Sequence, residues 1–253
     1  PPMDRHTLRK ALPYLLPSAA GTAVFYAAPF LVMLVYALSA GGVPEVLSGH
    51  ALAAGARSTA VFLFCGIGAS VLLGLCIALA LPPRTAAMKL TLLLPLLLPS
   101  AAVAVLWRAL HLRESLFLLI LLLVWRVTGL NAVLLTAAHQ RIPPEVVASG
   151  RLDGAGGLRL LLRVKWPYLS GSVFFAALID LFFAWRTFRE VYLLTGDYPH
   201  EGLYLLQHYL LHAFRRLQYG KLAAVSLAVT LAVAAVTGLF FRLSSDRGKD
   251  VDA

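Results

Sequence analysis

The sequence predicts an all-α membrane protein with six transmembrane helices, and three observations lead there. Hydrophobic residues make up 60% of the 253 and charged residues only 13%. Soluble domains hold nearer ~45–50% and ~25%, so this chain needs lipid around its surplus apolar surface. Mean hydropathy is +0.80. The apolar residues gather into six windows, about 17–40, 58–81, 88–110, 116–138, 167–188 and 220–242, each near the ~20 residues a helix needs to cross the hydrocarbon. Once these are counted little is left for a soluble part, and a single transmembrane domain over 1–253 is expected.

The first window follows Arg5, Arg9 and Lys10, as a signal peptide would. Its apolar part exceeds the ~7–15 residues of such a peptide, and it reads as a retained helix. The chain opens Pro1-Pro2 without an initiator methionine, which is compatible with a start further upstream. The second window holds both cysteines, Cys65 and Cys76, as small hydrophobes, and Gly66, Gly68 and Gly74 as notches for helix packing. The links 41–57 and 111–115 are short and belong outside. With the N-terminus in the cytoplasm, the inner segments carry Arg84, Lys89, Arg141, Arg151, Arg159, Arg163, Lys165, Arg242, Arg247 and Lys249 besides the first three, 13 of the 22 basic residues. Such charge near span ends sets orientation. The net charge of +10 is therefore a topology signal, and nucleic acid is not an expected partner.

Between the fourth and fifth windows lies a long inner insert, 139–166. Pro143 and Pro144 suit a helix start, where the missing amide donor costs nothing. Val146, Val147 and Leu152 are apolar, and Gly154, Gly156 and Gly157 interrupt the helix. Leu158, Leu161 and Leu162 then recur at helical spacing until Pro167 opens the fifth span. The expected form is helix, glycine break, helix, serving either as an interfacial linker or as a docking surface. Gly154-Ala155-Gly156-Gly157 is not a phosphate loop, because no strand precedes it and no Gly-Lys-Ser/Thr ends it. Any ATP used is bound by another polypeptide.

Two ionisable residues, Arg126 and Asp180, fall well inside spans four and five, where charge is costly enough to face a cavity or a partner. A structural Arg126–Asp180 ion pair is one reading and a substrate contact another. His208 and His212 stand at i, i+4, a spacing that can bind zinc, but an outer amphipathic helix explains them without a third ligand. Arg215 and Arg216 suit a contact with a partner protein or a solvated face.

The insert reads Ile142-Pro143, Ala148-Ser149-Gly150, Asp153-Gly154-Ala155 and Val164-Lys165-Trp166-Pro167. This order resembles the cytoplasmic signature of inner-membrane permease subunits of ATP-binding-cassette importers, of the carbohydrate (maltose and glycerol-phosphate) type. Leu94-Pro95 with Leu106-Trp107-Arg108, Trp125 with Gly129 and Asn131, and Arg189-Glu190-Val191-Tyr192-Leu193-Leu194-Thr195-Gly196 extend the likeness over nearly the whole chain, to the maltose-binding permease subunit in particular. The resemblance implies a type I importer permease core with a cytoplasmic coupling helix between helices 4 and 5. It implies a heterodimer with a second permease subunit, two ABC ATPase subunits holding ATP and Mg, and an extracellular solute-binding protein. It places the chain in the bacterial plasma (inner) membrane, multi-pass, with both termini cytoplasmic, and it implies no cofactor on this chain.

Coupling falls to Glu145, Val146, Val147, Ala148, Ser149, Arg151, Leu152, Asp153, Gly154 and Ala155. Val146, Val147 and Leu152 are the apolar anchors in an ATPase groove, Arg151 and Asp153 the polar rim, and Gly154 the turn that stops the helix. Ala148 stands where the family has a glutamate, and the link 111–115 is shorter than usual. By the same resemblance, Leu123, Arg126, Val127 and Leu130 on span four and Asp180, Phe183, Ala184 and Thr187 on span five face the sugar, each set running i, i+3, i+4, i+7. Phe183 can stack on a ring, Thr187 and Asp180 can bond hydroxyls, and Arg126 a hydroxyl or an acidic group. Two rival classes are an intramembrane hydrolase, for which no nucleophile and base face each other at mid-span, and a structural subunit without its own pathway.

Overall fold

The computed structural model describes residues 5–39, 49–82, 84–111 and 114–248. Helices dominate, with no strand among the described residues. Helix α1 covers 5–39 with a π turn at Ala23–Ala27, and α2 is His50–Ala80. Next come α3 (Ala86–Leu97), α4 (Ser100–Ala109), α5 (Leu116–Gln140) and α6 (Pro144–Leu152). Helix α7 (Gly157–Thr195) is followed by α8 (Leu206–Arg215) and α9 (Tyr219–Gly248). Five of these are long and apolar enough to cross a membrane, and α3 with α4, counted together as one broken helix, make a sixth candidate span.

That sixth span corrects an expectation. One straight helix was expected over 88–110, but α3 and α4 meet at 89°. Leu98 precedes Pro99, whose ring disfavours helical backbone in its neighbour, and Leu98 is accordingly extended at φ −67°, ψ 135°. Pro95 inside α3 also withholds the amide that the last turn would use.

The boundary at the fifth span is corrected as well. Pro167 stands in the first turn of the α-helical stretch Trp166–Arg186, but the helical run begins earlier. The chain is helical from Gly157, passes through a π turn at Leu160–Lys165, and continues to Thr195. In the π turn the Trp166 amide donates to the Leu161 carbonyl, five residues back. This wider turn carries the helix up to a residue that has no amide to offer and whose ring would crowd the normal register.

Internal contacts group the chain into two compact units, residues 1–52 with 210–237 and residues 53–209 with 238–253. In the first, the Tyr36 and Tyr219 rings lie 6.2 Å apart and border an apolar groove with Pro29, Met33 and Leu222. The second is built around Phe62, Leu119, Leu123, Val127, Ala184, Val191, Leu203 and Leu205. A smaller cluster joins Val103, Trp107, Leu118 and Leu122, with the Trp107 and Trp125 rings edge to face at 6.0 Å. Backbones approach closely here: a Cβ on Gly129 would strike the Leu92 carbonyl, so α3 and α5 need glycine at that position. Gly66 and Gly74 are packing notches against Leu123 and Asn131, whereas Gly68 faces open space. The links expected at 41–57 and 111–115 fall partly, and Lys249 wholly, outside the described residues.

Candidate functional site

The second unit contains a cavity of about 210 Å³. The kink supplies one wall through Leu96 and Ser100, α5 another through Arg126 and Val127, and α7 the third through Phe183, Arg186, Thr187, Arg189 and Glu190. Arg126 forms an ion pair with Glu190, whose side chain is 1% exposed. A second Arg126 nitrogen reaches the Leu98 carbonyl at 3.4 Å, an acceptor left without an intrahelical amide where the helix breaks. Two buried atoms at this pair have no partner among the described residues, the donor Arg126 Nε and the acceptor Glu190 Oε2.

The Arg126–Asp180 ion pair, one of the two readings of these residues, is not formed. Asp180 is fully buried and accepts from Ser70 Oγ at 2.5 Å and Asn131 Nδ2 at 2.7 Å, tying α2, α5 and α7 together. About one turn of α7 separates Phe183 from Asp180, and about two further turns bring the chain to Glu190, which pairs with Arg126 instead. Of the residues expected to face solute, Arg126, Val127, Phe183 and Thr187 line the cavity. Leu123 and Ala184 belong to the packed core, at 0% and 1% exposure. Leu130 is half-buried and Asp180 buried, both away from the cavity lining. Glu190, Arg186 and Arg189 were not singled out as site residues from the sequence. The signal was their clustering in five residues at the end of an apolar span.

At the other end of α5 and α7 sits α6. Pro143 caps it and Pro144 is its first helical residue, as the sequence suggested. Its C-terminus closes in a Schellman arrangement: the Ala155 amide donates to the Gly150 carbonyl and the Gly154 amide to the Arg151 carbonyl, each at 3.0 Å. Gly154 sits at φ +79°, a backbone that side chains with a Cβ rarely adopt. One face of α6 packs inward, where Gly150 is buried and a Cβ there would meet Val164 at 2.8 Å. Val146 and Val147, two of the three expected apolar anchors, flank that face and are half-buried. The outward stripe is Glu145, Ala148, Ser149 and Leu152, with Leu152 89% exposed, and Arg151 and Asp153 stand exposed beside it. Lys165 Nζ and His139 Nε2, 3.0 Å apart, join the two ends of the insert.

His208 is buried, its Nδ1 accepting from the Leu205 amide at 3.1 Å and its ring edge-on to Phe188 at 4.9 Å. That nitrogen serves the backbone, and no group of three metal-ligating residues occurs among the described residues. Arg215 and Arg216 are exposed.

These features define a polytopic helical membrane protein with a charged cavity among its spans and an exposed, capped helix between two of them. Residues 66–245 match the pattern of the binding-protein-dependent transport system inner membrane component family, and the chain belongs to that family. Over 128 residues it is 29% identical to the multiple sugar-binding transport system permease protein MsmF of Streptococcus mutans, a match covering 49% of this chain and 43% of the relative. It is 30% identical over 131 residues to the sn-glycerol-3-phosphate transport system permease protein UgpA of Yersinia enterocolitica, covering 51% and 44%. The matched segments thus span less than half of these curated relatives. The fold is similar to a chain in the crystal structure of a bacterial ABC transporter involved in the import of the acidic polysaccharide alginate, at TM-score 0.70 and 18% identity, covering 96% of this chain and 98% of that one.

Proposed function

We propose that this chain is a permease subunit of an ATP-driven importer and forms half of the translocation pathway for a sugar or sugar-like solute. Family membership supports the class, and the observation that carries the role is the exposed stripe of α6. An apolar Leu152 that is 89% exposed on a short, capped helix suits insertion into a partner's groove. The partners are a second permease subunit, two ABC ATPase subunits that hold ATP and Mg, and an extracellular binding protein that delivers the solute. The chain resides in the bacterial inner membrane with α6 and both termini in the cytoplasm.

Closure of the ATPases on ATP pulls on Glu145, Ala148, Ser149 and Leu152, while Arg151 and Asp153 bound the contact. Because α6 is anchored on the π turn of α7 through Gly150, motion of α6 is transmitted to α7. The cavity lies further along the same helix, so that docking and solute site share one lever. The two states are inward- and outward-facing arrangements of the spans. The cavity is smaller than the ~300–1,000 Å³ of complete small-molecule sites, which suits one wall of a site finished by the second permease.

The test is reconstitution of the four subunits in lipid vesicles with the binding protein. Solute-loaded binding protein is expected to stimulate ATP hydrolysis and solute uptake, and Leu152→Glu to abolish both. Full activity of Leu152→Glu would remove α6 from coupling, and hydrolysis without any uptake would point to a structural subunit.

A further inference from the structure

The cavity holds three guanidinium groups, Arg126, Arg186 and Arg189, and one carboxylate, Glu190. That carboxylate is taken by Arg126. Arg186 stacks over the Phe182 ring at 5.5 Å, and neither it nor Arg189 has a carboxylate partner among the described residues. Both are exposed, so two positive charges at the cavity lie open to whatever enters it with no carboxylate against them. Ionisable groups at the ends of spans persist where they meet water, a partner or a ligand of opposite charge, and an anion in the cavity is such a ligand.

The unpartnered atoms at the ion pair point the same way in finer detail. Arg126 Nε is a donor with nothing to give to, and Glu190 Oε2 an acceptor with nothing to receive. A hydroxyl group satisfies either atom, and a pair of neighbouring hydroxyls satisfies both. Two free guanidinium forks match the planar oxygens of a carboxylate or the tetrahedral oxygens of a phosphate.

Building on the permease reading above, we propose that the solute passing this cavity is an anionic polyol, a sugar acid or a sugar or glycerol phosphate, whose acidic group is held by Arg186 and Arg189. Its hydroxyls engage Arg126 Nε and Glu190 Oε2. Glu190 also sets the limit on charge: it repels an acidic group from the Arg126 end and so orients the solute with its anion towards Arg186 and Arg189.

The experiment uses the complete importer in lipid vesicles with three radiolabelled probes: a neutral disaccharide, a uronic-acid disaccharide and glycerol phosphate. Uptake of one or both acidic probes, without the neutral one, is expected, and which of them enters separates carboxylate from phosphate. Arg186→Gln with Arg189→Gln is expected to lower acidic uptake roughly ten- to hundredfold, as lost charged hydrogen bonds do. Arg186→Lys with Arg189→Lys, which keeps the charge, is expected to retain more of it than the Gln pair. Uptake of the neutral probe alone, wild-type acidic uptake in the Gln pair, or equal losses in the Lys and Gln pairs overturns the proposal while leaving the permease reading intact. Absence of any ATP hydrolysis stimulated by solute-loaded binding protein in the wild-type importer overturns both.

Discussion

Two buried carboxylates in this protein are stabilised in different ways. Glu190 meets a guanidinium, whereas Asp180 takes two neutral donors, Ser70 and Asn131. A buried ion pair adds little net stability, but removing one partner strands the other at a cost of about 3–5 kcal/mol. Arg126→Met alone is therefore expected to destabilise the complex by about that amount, and adding Glu190→Met to recover most of it. Thermal unfolding in detergent reads this as a double-mutant cycle, and strictly additive losses would mean that the two residues do not interact. At Asp180, an asparagine keeps an acceptor for both donors. Leucine there leaves Asn131 Nδ2 orphaned, while Ser70 falls back on the Ile67 carbonyl at 2.9 Å. Asp180→Leu should cost about 1–3 kcal/mol and more than Asp180→Asn. The reverse order of melting temperatures would remove Asp180 from its role as a clasp.

Among the elements, α6 carries the clearest consequences because its two faces do different things. Gly154 is needed for the turn that ends the helix, at φ +79°. Gly154→Val forces an L side chain into left-handed backbone at about 1–2 kcal/mol, tilting the exposed stripe rather than unfolding the spans. Binding-protein-stimulated ATP hydrolysis is expected to fall at least about tenfold if even ~1.4 kcal/mol of the docking energy is lost. The binding protein's own affinity for solute stays unchanged, and undiminished hydrolysis would show that the cap does not position the helix. The kink between α3 and α4 is the second element with a function beyond packing. It turns the Leu98 carbonyl to Arg126 and sets Leu96 and Ser100 along the cavity. Pro99→Ala relaxes the constraint on Leu98, and loss of solute uptake with an intact, co-purifying complex is the expected result.

On the scale of the whole molecule, the surface is unsuited to water. Phe64, Phe25 and Phe117 are 84%, 76% and 73% exposed, on α2, α1 and α5. Such side chains require lipid or a partner subunit, for which the proposed second permease is the candidate. Expressed without that subunit, the chain is expected to be recovered at several-fold lower yield and to aggregate on extraction, whereas co-expression restores a monodisperse complex on size exclusion. Orientation is tested by Ser149→Cys in a background lacking Cys65 and Cys76. A membrane-impermeant thiol reagent should label it in inverted vesicles and not in intact cells. Labelling from outside would reverse the topology, since Ser149 lies on the exposed stripe of α6.

The sequence by itself determined the all-helical membrane class, the family and the caps of α6. Hydrocarbon imposes apolar windows of fixed length, and a helix end depends on residues within a few positions, as Pro143, Pro144 and Gly154 do. The bend at Leu98 was written in Pro99, yet a hydropathy window averages over such a residue and reports one span. Only the tertiary structure decided which charges meet. Arg126 and Glu190 lie 64 residues apart, and their pairing depends on how α5 and α7 are rotated against each other and on the carbonyl that the kink turns inward. Spacing along one helix specifies a face, but the partner of that face is chosen by packing between helices, and that choice gave Arg126 to Glu190, sealed Asp180 away, and left Arg186 and Arg189 at the cavity without a carboxylate against them.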